Sequence, residues 1–177
     1  MDTSADIPDL ALSVRQPWAW AIVAGHKVIE NRSPGAIRAG KMGLGPIAIH
    51  AAIGMTRKEY EWGAWRLARH GVVAPRPEML PRRGIIGRVT VTGIVSESDS
   101  PWFGGPMGLV LTEAVACDPI PASGALGYFQ WIASGELAPR APWMGRWDRP
   151  ADDFDTGDLF PDLEPSYRSP PKKPWSA

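Results

Sequence analysis

The sequence predicts an α+β fold, a small β-barrel of about six strands with two or three helices, followed by an extended C-terminal arm. Short runs rich in β-branched and apolar residues alternate with glycine and proline turn signals, a pattern typical of small curved or closed sheets. One longer segment has helical spacing and begins with a capping signal. Beyond Gly135 the chain becomes polar and proline-rich without periodicity, which indicates an arm.

The first predicted elements are a buried strand over residues 10–14 and a helix over residues 18–24. Pro17 suits the first turn of that helix, and Gly25 suits the position just after its end. A second strand is predicted over residues 27–32. Its alternation would place Lys27, Ile29 and Asn31 on one face and Val28, Glu30 and Arg32 on the other.

A third strand and the longest helix come next. Residues 33–35 form a turn that ends the second strand, and a β-branched run predicts a strand over residues 46–51. A helix is predicted over residues 56–70. Thr56 and Glu59 form the T-x-x-E capping box at its start, and its apolar side chains follow a single stripe.

The second half of the chain is dominated by long strands. Residues 84–96 are rich in Ile, Val and Thr, and Gly87 and Gly93 mark bulges or sharp bends. The remaining predicted elements are a strand over residues 107–117, a turn over 118–124 and a short last element over 126–131.

The 177 residues suit one domain with tails. We expect a flexible tail over residues 1–9, a domain over 10–135 and a proline-rich, partly acidic arm over 136–177. The first half of the arm has three aromatic side chains that are candidates for pinning it to the body. They are Trp143, Trp147 and Phe154.

Charge is unevenly distributed although the total is zero. Residues 10–135 contain 13 Lys/Arg against 8 Asp/Glu, a net +5, whereas residues 148–164 contain one Arg against seven acids, a net −6. A mildly basic body fits either a polyanionic ligand or ordinary solvated charge. The zero total argues against strong sequence-blind binding to long nucleic acid, which needs many phosphate contacts.

The composition predicts a cytoplasmic protein that uses no membrane, metal or cofactor. No apolar run approaches the roughly 20 residues of a membrane span, and the acidic N-terminus lacks the basic residues of a signal peptide. The single cysteine, Cys117, excludes an internal disulfide and fits a reducing compartment. The three histidines have no metal-ligand spacing.

The most informative stretch runs from Gly25 to Arg32. A glycine turn followed by Lys27, Glu30 and Arg32 predicts one charged wall of a cleft. Lys27 would contact a phosphate or carbonyl, or act as a general base with a lowered pKa, or pair with Glu30. The strand alternation argues against pairing of Lys27 with Glu30, because it places them on opposite faces. Arg32 suits a phosphate or a buried carboxylate, and Glu30 would orient Lys27, accept from a base amino group, act on water or pair with an arginine.

Other side chains are candidates for the same cleft because of their types and their positions at element ends. Trp18, Trp102 and Phe103 are candidates for stacking on a nucleobase. The polar candidates are Arg15, Gln16, His50 and Ser100.

These residues resemble the ASCH domain family of the PUA-like superfamily. The family hallmark G-x-K-x-x-E-x-R is complete here as Gly25, Lys27, Glu30 and Arg32. The resemblance covers roughly residues 10–132 and implies a PUA-like β-barrel with a cleft beside the motif. Five further segments resemble the family in order. They are residues 12–19, 46–51, 84–89, 100–108 and 124–131.

The resemblance also implies contact with RNA, a nucleotide or a modified nucleobase. Some family members are enzymes: one branch deacylates N4-acetylcytidine, and others are similar to ribonucleases. The deacylating branch carries a threonine nucleophile where this chain has Glu30, which argues against that mechanism here. Ser33 and Ser100 are the candidates to replace that hydroxyl.

Three functions therefore stand as expectations. The leading one is binding of RNA, a nucleotide or a modified nucleobase. The alternative is a metal-independent ribonuclease or nucleoside amidohydrolase with Lys27 as general base and Glu30 as its partner. The third is an interaction protein whose acidic segment around Asp152-Asp153-Phe154-Asp155 covers its own cleft and mimics a phosphate chain.

Overall fold

A computed structural model describes residues 6–147 and places all six predicted strands in one sheet. The strand order is β2-β5-β4-β3-β1-β6. Neighbouring strands are antiparallel, except for the parallel pair β1–β3. The strands are β1 (Leu10–Val14), β2 (Ile29–Arg32), β3 (Gly45–Ala51), β4 (Gly84–Val95), β5 (Met107–Pro121) and β6 (Tyr128–Gln130).

The sheet curls until its two ends approach each other. Arg32 on β2 donates from Nη2 to the main-chain oxygen of Ser13 on β1 at 2.9 Å, although β5, β4 and β3 lie between those strands in the sheet. The concave side holds the main core, built from the inward residues of β1, β3, β4 and β5 against the first helix. This curled half-barrel confirms the small α+β barrel predicted from the sequence.

Two glycines produce the bends of β4. The pairing of β4 with β5 shifts register three times, and two of the shifts fall at Gly87 and Gly93, as predicted for bulges; the third lies between Arg88 and Thr90. A Cβ atom at Gly87 would collide with the main-chain oxygen of Val115. The close approach of two backbones therefore requires glycine there.

Three helices accompany the sheet: α1 (Trp18–Val23), α2 (Pro34–Ala39) and α3 (Arg57–Ala68). The predicted capping box is present, because Thr56 Oγ1 accepts from Glu59 N and the Glu59 carboxylate accepts from Thr56 N. Helix α2 was not predicted. The Ser33-Pro34 pair that suggested a turn begins this helix instead, with Ser33 Oγ accepting from Ala36 N.

Strand β5 extends further than its sequence suggests. The turn predicted over residues 118–124 is wrong for its first part, since the strand continues to Pro121. Gly84 and Ile85 of β4 pair with Pro121 and Ile120. Pairing with a long neighbour thus outweighs the local turn signal of two prolines.

Residues 136–147 lie against the domain body. Met144 and Trp147 are buried around Tyr60 of α3, and Arg82 donates to the carbonyl of Pro139. Phe154 and the acidic segment around Asp152 lie outside the described residues, and the domain boundaries stay predictions. Among residues 6–147, every helix is too short or too polar to cross a bilayer.

Candidate functional site

Lys27 lies at the junction between α1 and β2. Gly25 has φ +79°, a left-handed conformation that glycine adopts without strain. The N–H groups of His26 and Lys27 then both donate to the carbonyl of Ala21, at 2.9 and 3.0 Å. The backbone of Lys27 is therefore still hydrogen-bonded to the C-terminal end of α1. The alternating side-chain directions of a strand begin only at Ile29.

This geometry overturns the predicted separation of Lys27 from Glu30. Lys27 Nζ lies 2.6 Å from Glu30 Oε2, and Arg32 Nη2 lies 3.2 Å from Glu30 Oε1. The three side chains are 6%, 13% and 18% exposed, respectively. Glu30 thus holds two cations side by side in a largely desolvated position at the end of the curl.

Burial lowers the pKa of the Lys27 ammonium from its ordinary value. Desolvation is the largest cause, the Glu30 charge and hydrogen bond oppose it, and Arg32 and Arg66 add to the lowering. The ammonium also donates to the carbonyl of Ile29 at 2.5 Å. The surroundings of Lys27 therefore fit two roles, a structural ion pair with Glu30 and a general base that is neutral part of the time.

Arg32 has one buried donor left over. Within residues 6–147 its Nε atom has no hydrogen-bond partner, although Nη2 contacts both Ser13 and Glu30. Tyr128 of β6 is close enough for the guanidinium charge to oppose the burial that raises the tyrosine pKa. The Tyr128 hydroxyl donates to the carbonyl of Gly43 at 2.8 Å.

Arg15 and Gln16 do not line one common cleft wall with the motif. Arg15 Nη2 donates to Glu59 Oε2 at 2.7 Å, at the start of α3. Gln16 is 1% exposed, and its amide donates to the carbonyl of Pro81 and accepts from Trp20 N. The expectation that Gln16 presents a polar end to the cleft is therefore corrected. Its buried amide instead links the start of α1 to the main chain at Pro81.

The aromatic candidates gather beside Lys27. The Trp18 ring lies 5.9 Å from Lys27 Nζ and makes edge contacts with Trp62 and Trp102. Trp102 is buried against these rings and His70, so it presents no open stacking platform. Trp18 and Trp62 are half-buried, and His70 is exposed.

The loop before β5 is held against the motif by Asn31. Its amide donates to the carbonyl of Trp102 and accepts from Gly104 N. Ser100 Oγ accepts from Trp102 N at 3.3 Å, and Phe103 packs in the cluster that contains Trp102. Ser100 and Phe103 thus shape the loop, and their contact with a ligand stays a prediction.

His50 lies on the other face of the sheet. Leu12 and Val14 of β1 point into the concave core, and Ser13 between them pairs with His50 of β3. His50 Nδ1 lies 2.6 Å from Ser13 Oγ, and Nε2 lies 3.0 Å from the carbonyl oxygen of Ala122. The expectation that His50 points into the motif cleft is corrected, because strand alternation directs it to the opposite face, where a second hydrophobic cluster that includes Ala48 and Ala122 lies.

His50 should make folding stability depend on pH. Burial, aided by Arg83 and opposed by the bond to Ala122, lowers its pKa below the ordinary 6.5. As pH falls below about 6.5, unfolded chains bind a proton that the folded state resists, so the free energy of unfolding should decrease. Urea unfolding of wild type and His50→Gln from neutral to mildly acidic pH tests this. An equal pH dependence in both proteins would contradict the assignment.

Sequence reasoning missed several residues of the site. Ser13 contacts Arg32, and Tyr128 lies within reach of its charge, only because the sheet curls. No local sequence pattern marks either residue as part of the site. Arg66 influences the Lys27 pKa from α3, and half-buried Trp62 was not among the aromatic candidates. For Asn31, the sequence signal was its position inside the motif, between Glu30 and Arg32.

The arrangement defines a class of protein: a small curled barrel with a buried Lys–Glu–Arg cluster where its sheet edges meet. Within the described part of the chain, no group of three or more His, Cys, Asp or Glu could hold a metal ion. Such a site can bind anionic or carbonyl oxygens through its cations and place a flat ring beside Trp18.

The ASCH domain family model matches residues 12–104, more than half of the chain, and this protein therefore belongs to the ASCH family. The fold is a small curled half-barrel of six strands. No curated protein matches the sequence. Among solved structures, the chain is similar to a serine-to-alanine mutant of ZmASCH from Zymomonas mobilis. That likeness has 20% identity, covers 65% of this chain and 77% of that chain, and has a TM-score of 0.35.

Proposed function

We propose that this protein binds RNA, a nucleotide or a modified nucleobase at the Lys27–Glu30–Arg32 cluster. The observation that carries the proposal is the pair of cations, Lys27 and Arg32, that Glu30 holds side by side. Arg32 Nε is also one of four buried side-chain atoms without a hydrogen-bond partner among residues 6–147, and buried donors are normally satisfied. A phosphate or base carbonyl oxygen would supply that acceptor once the side chain shifts enough to bring Nε to the surface.

The rest of the cluster fits the same class of ligand. Glu30 and Ser13 hold the Nη2 end of the Arg32 guanidinium, and an arginine fixed in this way is suited to a phosphate oxygen. Trp18 lies beside Lys27, so an unpaired base could stack there while its polar edge meets the charged groups. Unstacked bases are usually recognised in RNA by this combination of stacking and edge contacts.

The alternative function is a metal-independent hydrolase with Lys27 as general base. The lowered pKa of Lys27, caused by burial and opposed by Glu30, favours it. In a ribonuclease reaction Lys27 would take the proton of the attacking 2′-hydroxyl, and Arg32 would stabilise charge on the phosphate. An amidohydrolase would use the same base on water.

Mass spectrometry can separate binding from catalysis. The purified protein is incubated with mixed total RNA and a panel of modified nucleosides, and both retained ligands and products are measured. Retention without product supports a binding protein, and product formation supports the hydrolase. Failure to retain any ligand, together with the absence of products, would overturn both proposals.

Two lysine variants sharpen this experiment. Lys27→Arg keeps a cation beside Glu30 but cannot act as a base at neutral pH, so it should lose products and keep part of the binding. Lys58→Met changes an exposed lysine of α3 and serves as the control. Products that survive in Lys27→Arg would exclude Lys27 as the base.

A truncation can test whether the acidic segment covers the cleft. The cut belongs after Trp147 rather than after Gly135, because Met144 and Trp147 are part of a buried cluster. An unchanged ligand affinity after that cut would exclude autoinhibition by residues 148–177.

A further inference from the structure

Ser13 and His50 form a hydrogen-bonded pair that the motif cleft does not use. We propose that Ser13 is a nucleophile activated by His50, at a second site on the outer face of the sheet that hydrolyses esters of apolar carboxylic acids. The proposal does not depend on the function of the Lys27–Glu30–Arg32 cluster. It depends on the Ser13–His50 contact, the Ala122 carbonyl and the loop around Gly124.

The hydrogen bonds define the protonation of the His50 ring. Nε2 faces the carbonyl oxygen of Ala122 at 3.0 Å. A carbonyl oxygen can only accept, so Nε2 carries the hydrogen and donates it. Nδ1 then holds a lone pair 2.6 Å from Ser13 Oγ, and the Ser13 hydroxyl donates to it. A base held by a third group next to a hydroxyl is the arrangement that activates a nucleophile.

The environment keeps this base neutral. Burial lowers the pKa of His50, with a further contribution from the Arg83 charge. The imidazole is therefore able to take a proton at neutral pH. His50 is buried, whereas Ser13 is half-buried, so the nucleophile lies closer to solvent than its base.

An exposed loop passes directly over the pair. A Cβ atom on Gly124 would lie 2.6 Å from both Ser13 Oγ and His50 Cε1, so only glycine allows this approach. The N–H groups of Gly124 and Ala125 donate to no acceptor within the described chain. Backbone donors beside a nucleophile are the groups that stabilise an oxyanion.

The same loop offers an apolar surface. Leu126 is 98% exposed, and Phe129 makes an edge contact with the His50 ring. Glu30 and Arg32 lie on the concave side, and Arg32 contacts the main-chain oxygen of Ser13 rather than its hydroxyl. An apolar acyl group therefore fits this outer site better than a phosphate does.

The reaction would proceed in two balanced steps. Ser13 Oγ attacks the ester carbonyl carbon while His50 Nδ1 takes the hydroxyl proton, and the leaving alkoxide departs with that proton as an alcohol. Water then attacks the acyl-serine, its proton passes through His50 to Ser13 Oγ, and the carboxylic acid leaves. The Ala122 carbonyl would stabilise the transient imidazolium through the Nε2–H bond.

A fluorophosphonate probe tests the nucleophile directly and without RNA. Ser13 Oγ would bond to phosphorus, and fluoride would leave with the serine proton as HF. Intact-mass and peptide mapping should place one adduct on Ser13. Ser13→Ala should remove it, and His50→Gln should slow labelling about a hundredfold, the lower range of general-base contributions. Ser98→Ala, an exposed serine, should label as the wild type does.

The outcomes decide the proposal. Hydrolysis of p-nitrophenyl butyrate should fall in step with labelling in both the Ser13 and the His50 variants. An adduct that is absent, that appears on several serines alike, or that forms at the same rate in folded His50→Gln would overturn it. Urea unfolding of His50→Gln shows that the comparison is made on folded protein. None of these readouts depends on RNA binding, so the two proposals fail separately.

Discussion

Replacing Lys27 with methionine should lower the free energy of unfolding by about 3–5 kcal/mol, the usual cost of breaking a buried ion pair by removing one partner. The substitution deletes the cation 2.6 Å from Glu30 Oε2 in a position where both side chains are largely buried. The carboxylate is then left partly desolvated without its nearest counter-charge. Urea unfolding monitored by tryptophan fluorescence measures the change.

Two further variants distinguish the ion pair from general damage to the core. Lys27→Met combined with Glu30→Gln removes both charges of the pair and should recover part of the lost stability. The recovery is partial because Arg32 also loses Glu30, although it keeps its bond to Ser13. Arg57→Met breaks an exposed ion pair on α3 and should change stability little. A loss below about 1 kcal/mol in Lys27→Met would show that this pair is not a stabilising contact.

Replacing Arg32 with lysine should weaken binding of a short labelled single-stranded RNA about ten- to a hundredfold. Lysine keeps the charge but presents one ammonium, so it cannot reach Glu30, Ser13 and a ligand oxygen together. Losing one hydrogen bond to a charged group corresponds to about 1.5–3 kcal/mol. Fluorescence anisotropy titration measures the affinity.

The matched control for this variant is Arg140→Lys. Arg140 is an exposed arginine in the described C-terminal segment, and the same exchange there should leave the affinity unchanged. Unfolding of Arg32→Lys is measured in parallel, because the bond to Ser13 also joins the two ends of the sheet. An unaltered affinity in a folded Arg32→Lys protein would place the ligand elsewhere.

Local signals predicted the elements well. Short apolar runs between turn signals marked the strands β1 to β5, and residues 126–131 were predicted as a short last element. Thr56 and Glu59 marked the start of α3, and Gly87 and Gly93 marked bulges of β4. These features depend on interactions between residues near each other in sequence. Helix α2 was missed because a six-residue helix contains little periodic pattern.

The same local reasoning failed where contacts are long-range. Alternation placed Lys27 opposite Glu30, but the α1 end controls the backbone up to Lys27. Gln16 was expected in the cleft, and the carbonyl of Pro81 holds it in the core instead. In both cases a hydrogen bond outside the predicted element determined where the side chain lies.

Local reading of the residues was enough to find the motif, the family resemblance and most of the strands and helices. These follow from residue type, spacing and backbone preference. Only the tertiary structure decided that Glu30 joins Lys27 to Arg32, that Arg32 meets Ser13, and that Ser13 meets His50 on the opposite face. Those contacts depend on how far the sheet curls and on strand order, which are set by packing across the whole domain and leave no local trace in the sequence.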